Sequence, residues 1–353
     1  MQSTARSLSS LDWLESLSPW PSEGFGLRRM QELLDRLDRP ERAYAAIHVV
    51  GTKGKSTAAR MIAALLATEG LRTAAYTSPH VSGWHERLDT DASGFVRALE
   101  RVRADAEAVG ATQFEILTAA AFVDFAERGL DVAVVEAGLG GRLDATNTVD
   151  AGVVLLTNVG LEHTEVLGET REAIAREKLA VAHRGAVVVL PDLEFAELVS
   201  DHEIKLGGAR AAAEAFLGRP ILAQVEVSLP GRLEARPGGE IRDGAHTPAA
   251  AEWLLERLPE PHDYVVLASI LRDKDAAGIL ERLARAGRTL VATQSSSERA
   301  LSATEVAALG RPLFPEVAAI DDPRAALAYA RAFGKPVLAT GSLYLLADLS
   351  EED

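Results

Sequence analysis

The sequence predicts an α/β protein of two domains, each built on a largely parallel sheet. Three observations carry this. Short β-branched runs alternate with helix-patterned stretches along most of the chain, as expected of strands buried on both faces. One run leads straight into a glycine-rich loop and then a helix, at Val49-Val50-Gly51-Thr52-Lys53-Gly54-Lys55-Ser56-Thr57, so the first domain is expected to be a P-loop-type parallel-sheet domain of the ATPase kind. The length, 353 residues, exceeds what a single core comfortably organises. The second domain is expected to be smaller and Rossmann-like.

Taken in order, helical patterning covers Leu8–Leu17 and Leu27–Leu37, with a turn-like segment Ser18–Gly26 between them. Ala45–Val50 reads as a strand and Thr57–Glu69 as a helix ended by Gly70. Thr73–Thr77, Val132–Glu136, Val153–Thr157 and Ala186–Leu190 read as further strands. Phe95–Val109, Ile116–Arg128 and Glu169–His183 read as helices. A Pro/Gly-rich text at Leu229–Gly239 predicts a linker, dividing the chain into residues 1–228, 229–239 and 240–353. Beyond it the alternation resumes, with strands at Tyr264–Ala268, Thr289–Ala292 and Val337–Thr340. Helices fall at Pro248–Leu258, Ala276–Ala286, Ala303–Leu309 and Arg324–Phe333.

Composition narrows the function. There is no cysteine, so disulfides and thiolate chemistry are excluded. The net charge of −15 repels nucleic acid and anionic membrane, so neither is an expected partner. Met1 to Ser10 is polar, and no apolar run approaches the roughly 20 residues of a membrane span. A cytoplasmic protein, monomeric, is expected. Six of the 37 Lys and Arg residues are lysine, at positions 53, 55, 178, 205, 274 and 335. In so arginine-rich a chain a retained lysine points to a place where a compact point charge serves and a planar fork does not.

The glycine loop carries the strongest chemical signal. Gly51 and Gly54 let backbone N–H groups approach phosphate, the helix N-terminus adds partial positive charge, and Lys55 reaches terminal phosphates. Ser56 or Thr57 supports a phosphate or a magnesium ion. The spacing Gly-x-x-Gly-Lys-Ser is shorter than a strict Walker A loop. The bland alternative is a glycine turn capping a helix. The second glycine phrase, Gly138-Leu139-Gly140-Gly141-Arg142-Leu143, has Leu143 where a dinucleotide fingerprint needs glycine.

Glu136 ends a strand, where α/β sheets collect ligands, and is placed either to hold magnesium or to form an ordinary salt bridge. His163 also follows a strand and reads equally as a ligand or a structural histidine. Lys178, taken alone, is a surface lysine on a helix. Asp243-Gly244-Ala245-His246-Thr247-Pro248 reads as a capped turn or as catalytic groups.

Together these phrases resemble the folylpolyglutamate synthase and dihydrofolate synthase family, a branch of the Mur ligase superfamily. The resemblance spans nearly the whole chain. Ile47-His48-Val49 through Thr57 is similar to the family's ATP loop, and Thr77-Ser78-Pro79-His80-Val81 with Glu86-Arg87 to its folate-side loop. Phe114-Glu115 is similar to another family phrase, and Glu136 to Asn147 is nearly the family signature. Leu161-Glu162-His163-Thr164, Arg176-Glu177-Lys178, Leu229-Pro230-Gly231-Arg232, Asp243 to His246, Asp273-Lys274-Asp275 and Gly341-Ser342-Leu343-Tyr344 follow in order.

The resemblance implies roles. Lys55 and its loop, Gly51 to Thr57, would hold ATP phosphates. Ser78, Glu136 and His163 would bind Mg2+, together with Lys178 in carbamylated form. Arg232 would reach the phosphates, and Asp243 and His246 would line the nucleotide. The reaction implied joins L-glutamate to a folate or dihydropteroate carboxylate through an acyl phosphate. The alternatives are a Mur-type ligase acting on another carboxylate, or a nucleotide-binding homologue without ligase activity. The chain departs from the family pattern at Lys53, Ser56 and Thr247, and its segment between Leu190 and Leu229 is short and lacks the family's Gln and Asn.

Overall fold

The computed structural model describes residues 9–21, 24–81 and 83–350. Leu8, where the first helix was expected to begin, lies outside them; the described helix is Ser10–Glu15, capped by the Ser9 hydroxyl. Two compact units result, one of residues 1–80 and 84–227, the other of residues 81–83 and 228–353.

The first unit holds six strands, β1 (Ala45–Val50), β2 (Thr73–Tyr76), β3 (Val132–Glu136), β4 (Ala151–Leu156), β5 (Val187–Leu190) and β6 (Glu203–Leu206). Their order is β2-β3-β1-β4-β5-β6, and every pairing is parallel. β1 therefore lies between β3 and β4, with Val49 opposite Glu136 and Leu155. Parallel strands need helical crossovers on both faces, and the aliphatic runs of β1, β3 and β4 supply the buried surfaces those helices cover. One face packs Val50, Val135 and Leu156 with the helices Ala92–Val109 and Gln113–Glu127. The other packs Ile47, Val49 and Val134 with the helix Lys55–Thr68. Gln113–Glu127 starts from a reciprocal cap in which Thr112 and Glu115 satisfy each other's backbone N–H groups.

The second unit holds β7 (Glu234–Ala235), β8 (Ile241–Arg242), β9 (Val265–Ala268), β10 (Thr289–Ala292), β11 (Glu316–Ala319) and β12 (Val337–Thr340). Their order is β11-β10-β9-β12-β8-β7, parallel except for the antiparallel β7–β8 pair. β7 and the turn Pro237–Gly239 fall within the stretch 229–239, which thus contributes an edge strand to this sheet.

The helix after β1 begins at Lys55, two residues before the expected Thr57, because Gly54 adopts the left-handed conformation and turns the chain into it. The helix carrying Lys178 is Arg171–Leu179, shorter than the expected Glu169–His183, and starts where the Thr170 side chain caps Ala173 N. Among the described residues no helix is long and apolar enough to cross a membrane.

Candidate active site

At the carboxyl end of β1 the chain enters the loop Gly51–Gly54, which is laced to the end of β4. Lys53 N donates to Asn158 Oδ1 at 2.9 Å, Asn158 Nδ2 donates to Lys53 O at 2.9 Å, and Thr157 Oγ1 donates to the same oxygen at 2.8 Å. Thr52 Oγ1 accepts from Gly160 N at 3.0 Å. These bonds hold the loop open ahead of the helix N-terminus, the geometry that receives phosphate. Lys55 stands in the first turn, 3.5 Å from Thr52 O and 4.0 Å from Glu136 Oε1. The Lys53 and Thr57 residues are exposed, while Ser56 Oγ reaches Ser78 O at 3.4 Å.

Glu136, at the end of β3, is buried, and its Oε2 accepts from Ser78 N at 2.9 Å. The structure thus joins Lys55, Ser56, Ser78 and Glu136 in one contiguous set. Lys178 joins the loop from below: it is buried, and its Nζ donates to Gly51 O at 2.9 Å. Burial, then the charge of Lys55, pulls its amine down to about 8. The Lys178 helix presses on the second glycine phrase so closely that a Cβ on Gly141 would lie 2.5 Å from Lys178 O. The surface reading of Lys178 is thereby corrected; tertiary packing buries it.

His163 is set differently. It adopts a left-handed backbone conformation ahead of the short helix Thr164–Leu167, is half-exposed, and meets Glu165 at 3.9 Å. Among the described residues no three His, Asp or Glu side chains converge as a metal cluster. The donors present nonetheless suit magnesium, since the Glu136 carboxylate and the Ser78 hydroxyl are hard oxygen ligands beside a phosphate loop. Magnesium commonly takes one or two carboxylates and completes its shell with phosphate oxygens and water.

Next to Ser78 lies a cavity of about 300 Å³ in the first unit. Trp20, Phe25, Phe114 and Leu143 give it apolar walls, and Arg87, Glu115 and Asp144 give it charged ones. Arg87 Nε donates to His80 Nδ1 at 3.0 Å, and the guanidinium lies 5.1 Å from the Trp84 ring centroid. His80 is held neutral, at about 3, by burial and then by Arg87. A neutral imidazole that accepts at Nδ1 carries its proton on Nε2. In the sequence Leu143 stands out only for breaking a dinucleotide fingerprint, Arg87, Phe114, Glu115 and Asp144 fall inside the family-like phrases, and Trp20 and Phe25 lie in a segment that reads as a turn.

In the second unit Asp243 is buried and staples two turns, accepting from Leu233 N at 2.8 Å and Ala245 N at 2.9 Å. Burial pushes its carboxyl upward, against those hydrogen bonds and the charge of Arg232. Arg232 donates to Gly231 O at 3.1 Å. His246 Nδ1 lies 2.7 Å from Gly244 O, which makes Nδ1 the donor. Thr247 caps the helix Pro248–Leu255 through Ala250 N.

The fold and phosphate loop define a Mur-type nucleotide-binding protein, and residues 49–205 match the Mur ligase middle domain. A dihydrofolate synthase/folylpolyglutamate synthase of Mycobacterium tuberculosis is 30% identical, over 82% of this chain and 78% of its own. The Escherichia coli dihydrofolate synthase/folylpolyglutamate synthase is 30% identical over 76% of this chain and 77% of its own. A solved E. coli protein in complex with DHPP and ADP superposes with a TM-score of 0.82 at 26% identity, covering 98% of this chain and 97% of that one. A bifunctional folylpolyglutamate synthase/dihydrofolate synthase of Yersinia pestis, complexed with AMPPNP and a Mn ion, gives 0.81 at 28% identity, covering 98% of each. The chain belongs to the dihydrofolate synthase/folylpolyglutamate synthase family, and it is an ATP-dependent ligase.

Proposed function

We propose that this enzyme joins L-glutamate to a folate-type carboxylate, of dihydropteroate or a reduced folate, through an acyl phosphate. The observation that carries this reading is the position of Ser78. Its backbone touches Ser56 of the phosphate loop and the Glu136 carboxylate, and the same residue lines the apolar cavity. A flat aromatic acceptor held by Trp20, Phe25 and Phe114 would therefore end beside the nucleotide phosphates, with Arg87 to pair its carboxylate.

An acceptor carboxylate oxygen attacks the γ-phosphorus, the bond to ADP breaks, and an acyl phosphate forms. Lys55 and the loop N–H groups stabilise the charge spread over the transferring group. The glutamate amine then attacks the acyl carbon, phosphate leaves, and the amine proton passes to solvent. Bound magnesium, held by Ser78 and Glu136 with His163 and a carbamylated Lys178, would neutralise phosphate charge. The lowered Lys178 amine supports carbamylation, because the neutral amine attacks CO2, forming an N–C bond and releasing a proton. A cytoplasmic monomer acting on small molecules completes the reading.

Mass spectrometry of products from purified protein with ATP, magnesium and glutamate tests it, with dihydropteroate and tetrahydrofolate in separate tubes. An ATP-dependent gain of one glutamate residue is expected in at least one tube. No gain in either, from folded protein that binds ATP, would move the assignment to another carboxylate acceptor or to a homologue without ligase activity.

A further inference from the structure

We infer that His48 is a positioning residue for the acceptor cavity: through Thr146 it fixes the direction of the hydrogen bond to Asp144, and so holds the cavity wall at Gly138, Leu139, Asp144 and Ala145. The inference rests on the proposed reading of that cavity as the acceptor site.

His48 lies inside β1, opposite Val135 of β3 and Val154 of β4, and is fully buried. An imidazole in the middle of an aliphatic parallel sheet is costly unless its polar atoms are used. Its Nε2 lies 2.9 Å from Thr146 Oγ1, and its Nδ1 has no hydrogen-bond partner among the described residues. Thr146 Oγ1 also bonds Asp144 Oδ1. Asp144 is buried and accepts from Leu139 N at 2.8 Å and Thr146 N at 3.0 Å. It thereby ties the end of the glycine phrase to the short turn Ala145–Thr148, and Gly138, Leu139, Asp144 and Ala145 all line the cavity.

A threonine hydroxyl has one proton, so the relay has only two arrangements. In one, Thr146 donates to an ionised Asp144 and accepts from His48 Nε2–H, leaving Nδ1 a bare acceptor. In the other, a protonated Asp144 donates to Thr146, Thr146 donates to Nε2, and the His48 proton moves to Nδ1. The second strands a buried N–H donor with nothing to receive it. The first also matches the two backbone N–H groups aimed at Asp144, which favour its carboxylate form. The orphaned Nδ1 thus fixes the tautomer, and the tautomer fixes Asp144 as an acceptor although burial pushes its carboxyl upward. Burial, with His183 nearby, holds His48 neutral, at about 3.

The test uses the full-length protein with 15N-labelled histidine and four variants. NMR correlation of the His48 ring nitrogens with its carbon-bound protons reads which nitrogen bears the proton, independently of any substrate. Nε2 is expected. His48→Gln keeps a donor toward Thr146 and His48→Met keeps only bulk; Thr146→Ser keeps the relay and Thr146→Val removes it. The Met and Val variants should raise KM for the acceptor about tenfold or more, with KM for ATP unchanged and the Gln and Ser variants near wild type. A proton on Nδ1 overturns the inference, as does a Met variant that matches Gln. If the Met variant does not fold, the Val and Ser pair decides in the same way. A wild-type enzyme that glutamylates no folate-type carboxylate would sink the acceptor reading, while the ring-nitrogen assignment would still decide the relay.

Discussion

The two units carry sheets of the same size, six strands each, yet the ends of their strands are chemically opposite. In the first sheet, the carboxyl ends of β1 and β3 present Lys55, Glu136 and the N-terminus of the helix Lys55–Thr68, with Lys178 packed against the loop. In the second, the corresponding ends of β9, β10 and β12 present hydroxyls that are buried: Ser269, Thr293, Ser295, Thr340 and Ser342. Several are already bonded within the unit, as when Ser269 Oγ accepts from Ser295 N at 3.0 Å and Thr293 Oγ1 donates to Asp321 O at 3.0 Å. A parallel sheet decides where a ligand can sit, and the few residues just past its strands decide whether that place is charged enough to transfer phosphate.

Substitutions can sharpen this contrast. Lys55→Ala should cost most, lowering ADP release with glutamate and acceptor by at least about a hundredfold; substantial residual turnover would remove the phosphate loop from the chemistry. Lys178→Arg keeps the charge but cannot be carbamylated, and should be nearly as inactive. Because the wild-type amine is pulled down to about 8, its neutral fraction grows as pH rises through that value. Turnover at limiting CO2 should climb across the same window and recover on its acid side with added bicarbonate, whereas the Arg variant should respond to neither. Glu136→Gln should raise the magnesium concentration needed for half-maximal rate about tenfold, and an unchanged titration would take Glu136 out of the metal site. Ser295→Ala in the second sheet should change least. Its Oγ has no partner among the described residues, so denaturant unfolding should show no loss beyond about 1 kcal/mol.

Legibility in the sequence followed burial. β1, β3, β4, β9, β10 and β12 are central, aliphatic strands whose composition marks them. β6 and β11 went unread because both are edge strands with partly exposed residues, and Glu203-Ile204-Lys205-Leu206 looks like any polar connection. Lys55 and its loop were legible because they are contiguous. The place of Lys178 against Gly51 was not, since only packing of its helix under the loop brings them together. The relay from His48 to Asp144 was hidden for a related reason. His48 is far in the chain from Thr146 and Asp144, and a histidine in a strand gives no sign of which nitrogen is protonated.

The order of the first sheet has a consequence for synthesis on the ribosome. Ala45 pairs with Val132 on one side and Ala46 with Ala151 on the other, so β1 gains its first strand neighbour only when β3 has emerged and its second only when β4 has. The phosphate loop is made well before its supports, because Asn158 and Lys178 arrive later still. A nascent chain stalled before Glu136 would hold an aliphatic, unpaired strand for chaperones to shield.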